Sequence, residues 1–214
     1  AAAAMAGILL REALHHQSVR DTLTGLFNRR YLEETMEREQ LRAKRNKSGF
    51  GLIMLDVDHF KRFNDTHGHD AGDYVLRAVG EVLDASCSDD EVACRMGGEE
   101  FVILWPDLDG AELTRRLNAL RTKITGLSLT YQTKTLPKIT ASIGIASSPT
   151  NGTLPQDILR AADEAMYDAK NGGRDRIVFA GKKHSEKTEA LTLPPSAQQQ
   201  KTKETDATKD IAAE

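Results

Sequence analysis

The chain has 214 residues, a formal net charge of -3 and two cysteines. That length holds one ordinary domain with tails. A near-balanced charge without a basic stripe interleaved with aromatics speaks against a nucleic-acid binder, and Cys87 and Cys94, with no CxxC or paired-histidine motif, point to a reducing compartment, to packing roles and to no structural zinc.

Ala1 to Gly7 lacks the charged start of a signal peptide and reads as an expression scar. Ile8 to Arg20 has helical character, with Leu10, Leu14 and Gln17 at coiled-coil-like spacing, and is too short to stand alone. Asp21, Thr24, Gly25, Asn28 and Arg29 read as a tight turn before a helix around Tyr31, with Asp21 placed to pair with Arg29 or Arg30. Phe50 to Leu55 is an unbroken apolar run, short enough for a strand buried on both faces, and it ends in Asp56-Val57-Asp58. At period two Asp56 and Asp58 share a face, and such hard oxygens suit Mg²⁺; strand-end capping is the plain structural reading.

Val75, Leu76, Val79, Val82 and Leu83 form one helical stripe, and Leu113, Leu117, Leu120, Ile124 and Leu127 form another, opened by Asp109 and Glu112 as in a capping box. Between them Val92 to Met96 and Phe101 to Trp105 read as strands joined by Gly97-Gly98-Glu99-Glu100. Gly97 and Gly98 are expected at positive φ, where the missing Cβ lets a ligand touch the backbone beside two carboxylates. A solvated hairpin tip fits the same residues. Ile139 to Ala146 and Arg176 to Phe179 add strands around a helix that starts at a Thr153/Gln156 capping pair and buries Ile158, Leu159, Ala162, Ala165 and Met166. The order predicts an α+β fold, a central mixed and mainly antiparallel sheet flanked by helices. No apolar run approaches the roughly 18 residues needed to cross a membrane, so this segment is expected to make no membrane contact. From residue 181 to 214 the composition turns polar and cannot offset chain entropy by burial, which predicts a disordered tail. The expected division is therefore 1–20, 21–180 and 181–214.

Taken together, these segments resemble the GGDEF family, the diguanylate cyclases. The collinear matches are Asp21-Thr22-Leu23-Thr24-Gly25-Leu26-Phe27-Asn28-Arg29-Arg30, Asp56-Val57-Asp58-His59-Phe60-Lys61, Asn64 to Asp73, the Gly97-Gly98-Glu99-Glu100-Phe101 turn, Ser142 to Ala146, and Ala162 to Lys170 with Gly173-Arg174. Glu99 is a permitted variant of the namesake turn. The resemblance implies a palm similar to that of nucleotidyl cyclases and polymerases. It implies Mg²⁺ on Asp56, the Val57 carbonyl and Glu99, with Glu100 at a second ion and Mn²⁺ as a substitute. It also implies attack of one GTP's ribose 3′-hydroxyl on another's α-phosphate, closing cyclic di-GMP and releasing pyrophosphate, with Glu99 or Glu100 as proton acceptor.

By the same resemblance Asn64 and Asp73 read guanine, whose N1 and N2 donors a carboxylate accepts and adenine lacks. His69 falls close enough in sequence to share that pocket, or to be a hydrogen-bonded structural histidine. Lys61, Lys170 and Arg174 match cations on the β- and γ-phosphates, and the amides of His59 and Phe60 add donors, as Gly97 and Gly98 give backbone access. The implied assembly is a homodimer with one GTP per protomer, the implied location cytoplasmic, and Ile8 to Arg20 the end of a stalk below a sensor domain in a parent that can be membrane-tethered. A simple packing helix fits Ile8 to Arg20 too. Two other functions are compatible with the family: a catalytically silent GTP- or dinucleotide-binding regulatory module, and a cyclase of other or mixed nucleotides, against which Asp73 argues. Many relatives carry an Arg-x-x-Asp product-binding site before the glycine turn; here the stretch is Ser88-Asp89-Asp90-Glu91, without the arginine.

Overall fold

The computed structural model describes residues 19–106 and 110–181. The stalk-end segment before Val19, the Asp109 half of the capping pair and the tail after Gly181 lie outside the described residues. In chain order the elements are β1 (Phe27–Asn28), α1 (Arg29–Asn46), β2 (Phe50–Val57), α2 (Phe60–His67), α3 (His69–Asp84), β3 (Val92–Gly97), β4 (Glu100–Pro106), α4 (Gly110–Thr125), β5 (Thr130–Tyr131), β6 (Lys134–Thr135), β7 (Ala141–Ser148), α5 (Pro155–Asn171) and β8 (Ile177–Phe179).

Six strands form one sheet in the order β1-β3-β4-β2-β7-β8, and β5 with β6 make a small hairpin. The contacts β2/β4, β2/β7 and β3/β4 are antiparallel, while β1/β3 and β7/β8 at the edges are parallel. The sheet is therefore mixed and mainly antiparallel. Every residue of β2 is buried, as the apolar run of Phe50 to Leu55 requires of a central strand. Alternation splits the core in two: Ile53, Leu55 and Val57 join the stripes of α3 and α4, whereas Leu52 and Met54 join Leu32 and Met36 of α1 and Ile158, Ala162 and Met166 of α5. Gly144 sets how closely α5 approaches, because a Cβ there would collide with the Ala162 carbonyl and the Met166 amide. Among the described residues no helix is long and apolar enough to cross a membrane.

Three local expectations change. Helix α1 starts at Arg29 rather than near Tyr31, capped by Asn28, whose side chain accepts from the Tyr31 amide. Helix α5 has Leu154 as N-cap with no side-chain hydrogen bond and Pro155 in its first turn, so Thr153 caps nothing. The Thr153 carbonyl instead accepts from Gln40 Nε2 at 2.7 Å. Arg29 and Arg30 each turn along their own helix to Glu33 and Glu34, which leaves Asp21 to another partner, Arg95, with Nη1 3.2 Å from Oδ1.

Asp21 also accepts from the Thr24 amide at 2.9 Å and hydroxyl at 2.7 Å, and Gly25 donates to the Asp21 carbonyl, so the tight turn forms as expected. Burial alone would push the Asp21 carboxyl up, but the Thr24 and Arg95 hydrogen bonds outweigh it and hold the group below its ordinary 3.8. A carboxyl lowered on folding contributes stability above its unfolded pKa and loses that contribution as pH falls through the folded value. Asp21→Asn should therefore cost about 1–2 kcal/mol at pH 7, with the gap to wild type closing below pH 4, as read by urea unfolding across pH.

Candidate active site

The sheet delivers its carboxylates at the carboxyl end of β2. Asp56 sits opposite Glu100 in the β2/β4 register, and the Val57 amide donates to the Glu99 carbonyl at 3.2 Å, so the strand end and the glycine turn are locked side by side. Paired residues share a face, and this face is the one that α5 covers. From the last turn of α5, Lys170 places Nζ 2.7 Å from Asp56 Oδ2. Burial pushes the Asp56 carboxyl up to about 6; Lys170 pulls it down, while Glu99 and Glu100 push it further up. Beside it, a cavity of about 570 Å³ opens between Glu100 and the Met166, Tyr167 and Lys170 side of α5.

Asp56, the Val57 carbonyl, Glu99 and Glu100 are hard oxygen donors of the type that Mg²⁺ takes. The ammonium drawn onto Asp56 marks this carboxylate as one that requires a positive partner. Among the described residues no group of three His, Cys, Asp or Glu side chains is arranged to hold a metal by itself.

Of the two readings open to Asp58, the structural one holds. Its carboxylate accepts from Thr140 Oγ1 at 2.7 Å, from Ser142 Oγ at 2.7 Å and from the Asp175 amide at 3.0 Å. It does share a face with Asp56, but its lone pairs are committed to protein donors. The partners lie 82 to 117 residues away, which is why spacing gave no sign of them.

On the other side of the strand end, α2 and α3 are joined through Gly68 and pack closely. Contact occurs at Gly72, where a Cβ would run into the Asn64 side chain. Asn64 Oδ1 is buried there with no hydrogen-bond partner among the described residues, and half-buried Asp73 follows Gly72 directly. An orphaned buried acceptor is costly unless a ligand supplies the donor. His69 is exposed and lines a second cavity of about 340 Å³ with His67, Tyr131 and Lys134, a cavity that neither Asn64 nor Asp73 borders.

His59 adopts a left-handed φ of 58° and starts α2 with no side-chain cap, so the first amides of that helix have no side-chain acceptor. Exposed Lys61 stands in this turn. Arg174 is half-buried, with φ 62°, and its amide closes α5 on the Ala169 carbonyl at 3.0 Å. Gly97 and Gly98 have φ of 139° and 55° with open space where a Cβ would stand, as a backbone-accessible turn demands. Arg95 supports that turn through two hydrogen bonds to the Gly98 carbonyl, at 3.0 and 2.8 Å. Its role escaped the sequence reading, although an arginine next to an acid-tipped glycine turn was a usable signal. Glu91, at the end of the Ser88 stretch, is held by Arg116, with Nη2 2.6 Å from Oε2. Cys87 and Cys94 are unpaired and packed, their thiols pushed up to about 12 by burial.

Comparison with known proteins identifies the family and the fold. The family model described as diguanylate cyclase, GGDEF domain, matches residues 18–176. The response regulator PleD of Caulobacter vibrioides is 36% identical over 173 residues, covering 79% of this chain and 38% of PleD. Diguanylate cyclase DgcM of Escherichia coli is 35% identical over 176 residues, covering 80% of this chain and 40% of DgcM. The chain thus spans well under half the length of these relatives. Among solved structures, the coiled coil and GGDEF domain of DgcB from Caulobacter crescentus in complex with c-di-GMP superposes with a TM-score of 0.76 at 32% identity, over 84% of this chain and 96% of that one. Diguanylate cyclase SiaD of Pseudomonas aeruginosa, solved with its activator SiaC, gives 0.74 at 37% identity, over 82% and 67%. A sheet of this topology ending in an acidic glycine turn, together with a family match across most of the chain, leads to one conclusion: the chain belongs to the GGDEF domain family.

Proposed function

We propose that this chain is a diguanylate cyclase, which joins two GTP molecules into cyclic di-GMP with release of two pyrophosphates, in a dimer holding one GTP per protomer. The observation that carries the reading is the buried Asp56, opposite Glu100 and gripped by Lys170 at the open end of the sheet. Asn64 and Asp73 hold the guanine: the orphaned Asn64 Oδ1 accepts from the base, and the Asp73 carboxylate takes the N1 and N2 donors. Lys61, Lys170 and Arg174 hold the β- and γ-phosphates together with the amides of His59 and Phe60. Asp56, the Val57 carbonyl and Glu99 would hold Mg²⁺, with Glu100 on a second ion and Mn²⁺ as a substitute. Bound there, the ions supply charge neutralisation at the α-phosphate and acidify the attacking 3′-hydroxyl. Glu99 or Glu100 takes the hydroxyl proton as the new phosphodiester bond forms and the bond to pyrophosphate breaks. The facing protomer repeats the step, and the product carries the two-fold symmetry of the dimer. A cytoplasmic site and an upstream sensor domain complete the proposal. Resolving the products of GTP and Mg²⁺ by chromatography and mass tests it, and a silent binding module would return only GTP.

Asp56→Asn should lower turnover by at least roughly a hundredfold, the scale for losing a charged metal ligand. Its effect on stability runs the other way. A carboxyl raised on folding to about 6 costs the fold stability once ionised, so the penalty is full above that value and vanishes below the ordinary 3.8. With a chelator present, the variant should melt no lower than wild type at pH 8, and any advantage should disappear near pH 3. A drop in melting temperature at pH 8 would contradict the burial argument.

Asp73→Ser should reduce the preference for GTP over ATP by about 1–3 kcal/mol, measured as the ratio of kcat/KM for the two nucleotides. Activity per protomer should rise with protein concentration, since each site holds half of the reacting pair. A flat dilution series from a chain that sedimentation shows to be monomeric would remove the dimer from the mechanism.

A further inference from the structure

Gly173, Arg174 and Asp175 adopt φ of 112°, 62° and 44° in succession. Two consecutive side-chain-bearing residues in the left-handed region are strained, and such backbone persists only where the surroundings over-determine it. Here the constraint comes from three directions. Arg174 donates its amide to the Ala169 carbonyl at the end of α5. The Asp175 amide donates to Asp58 Oδ2 at 3.0 Å, and Asp58 is itself buried and fixed by Thr140, just before β7, and by Ser142 on it. From α4, Arg121 forks onto Asp175, with Nε 2.9 Å from Oδ1 and Nη2 2.8 Å from Oδ2, while Nε also reaches the Asp175 carbonyl at 3.1 Å.

We infer that Arg121, through Asp175 and together with Asp58, is a positioning residue for Arg174: it holds the strained loop so that the guanidinium faces the nucleotide triphosphate. The inference rests on the reading of Arg174 as a phosphate contact. The arrangement has an economy of placement. On β2, Asp56 engages Lys170 of α5, and two residues later Asp58 engages the loop after the same helix. One strand end thereby sets both cations relative to the carboxylate that would bind metal. Arg121 touches neither nucleotide nor metal in this scheme, and a bidentate planar fork onto a carboxylate is a geometry that lysine does not reproduce.

The test uses the full chain and 3′-deoxy-GTP, which lacks the attacking hydroxyl and cannot react, compared with GMP, both followed by NMR titration with Mg²⁺. Arg121→Ala should weaken 3′-deoxy-GTP about tenfold, the scale of a mispositioned charge-assisted hydrogen bond, and leave GMP within about twofold. Asp175→Gly, which relieves the backbone strain and keeps the amide to Asp58, should show the same selective loss and guards against a misfolded Arg121 variant. In an Arg174→Ala background, Arg121→Ala should have no further effect. Equal weakening of both ligands, an additive double variant, or wild-type binding by Asp175→Gly would overturn the positioning role while leaving Arg174 on the phosphates. If Arg174→Ala alone binds 3′-deoxy-GTP like wild type, the phosphate reading falls and this inference falls with it.

Discussion

Burying a carboxylate at the end of a central strand, with water largely excluded, creates a demand for positive charge that the rest of this fold is arranged to meet. Asp56 is that carboxylate. Its strand is fixed by antiparallel neighbours on both sides, so it cannot withdraw toward solvent without breaking the sheet. The demand is raised by Glu99 and Glu100 on the adjoining turn and is met within the chain by Lys170. A buried pair of this kind contributes little net stability, because desolvation offsets its attraction. Lys170, which meets that demand, lines the neighbouring cavity together with Glu100.

Much of this was legible from residue pattern. The Phe50 to Leu55 run was short enough to read as a strand covered on both faces, and the stripes of α3 and α4 follow from helical periodicity. The glycine turn was legible because Gly97 and Gly98 carry a backbone requirement in their identity. Strands of two residues, as in β1 and the β5/β6 hairpin, left no periodic signal to read. Local rules failed in places. Thr153 had the composition of a helix cap, yet the helix starts one residue later, at the Leu154 N-cap with Pro155 in its first turn. Asp21 lay near two arginines in sequence, but each of them satisfies a glutamate one helical turn away, and the partner came from β3 instead.

The site divides the same way. Resemblance could nominate Asp56, Asn64, Asp73, Glu99, Glu100, Lys170 and Arg174 because each sits inside a motif of the family. It was silent on Arg95, Arg121 and Asp175, which hold other groups in place, and it left Asp58 out of the ligand set; only the period-two spacing put Asp58 beside Asp56 as a candidate. In the fold, the first carboxylate is gripped by Lys170 and the second serves as a three-way fastener. His69 illustrates the converse: proximity in sequence to Asp73 put it near the guanine contacts, while the turn at Gly68 directs it to the cavity under the β5/β6 hairpin.

The link from Asp21 through Arg95 to Gly98 bears on where the working unit begins. Every signature carboxylate lies from Asp56 onward, so a boundary drawn just ahead of β2 would retain all of them. Such a fragment would lack the acid that steadies Arg95, and the loss would surface 74 residues downstream of the missing turn. The carbonyl of Gly98, adjacent to Glu99, would then depend on an arginine with nothing behind it. The turn at the start of the domain thus buttresses the glycine turn through Arg95, and the edge of the domain is a mechanical boundary rather than a motif boundary.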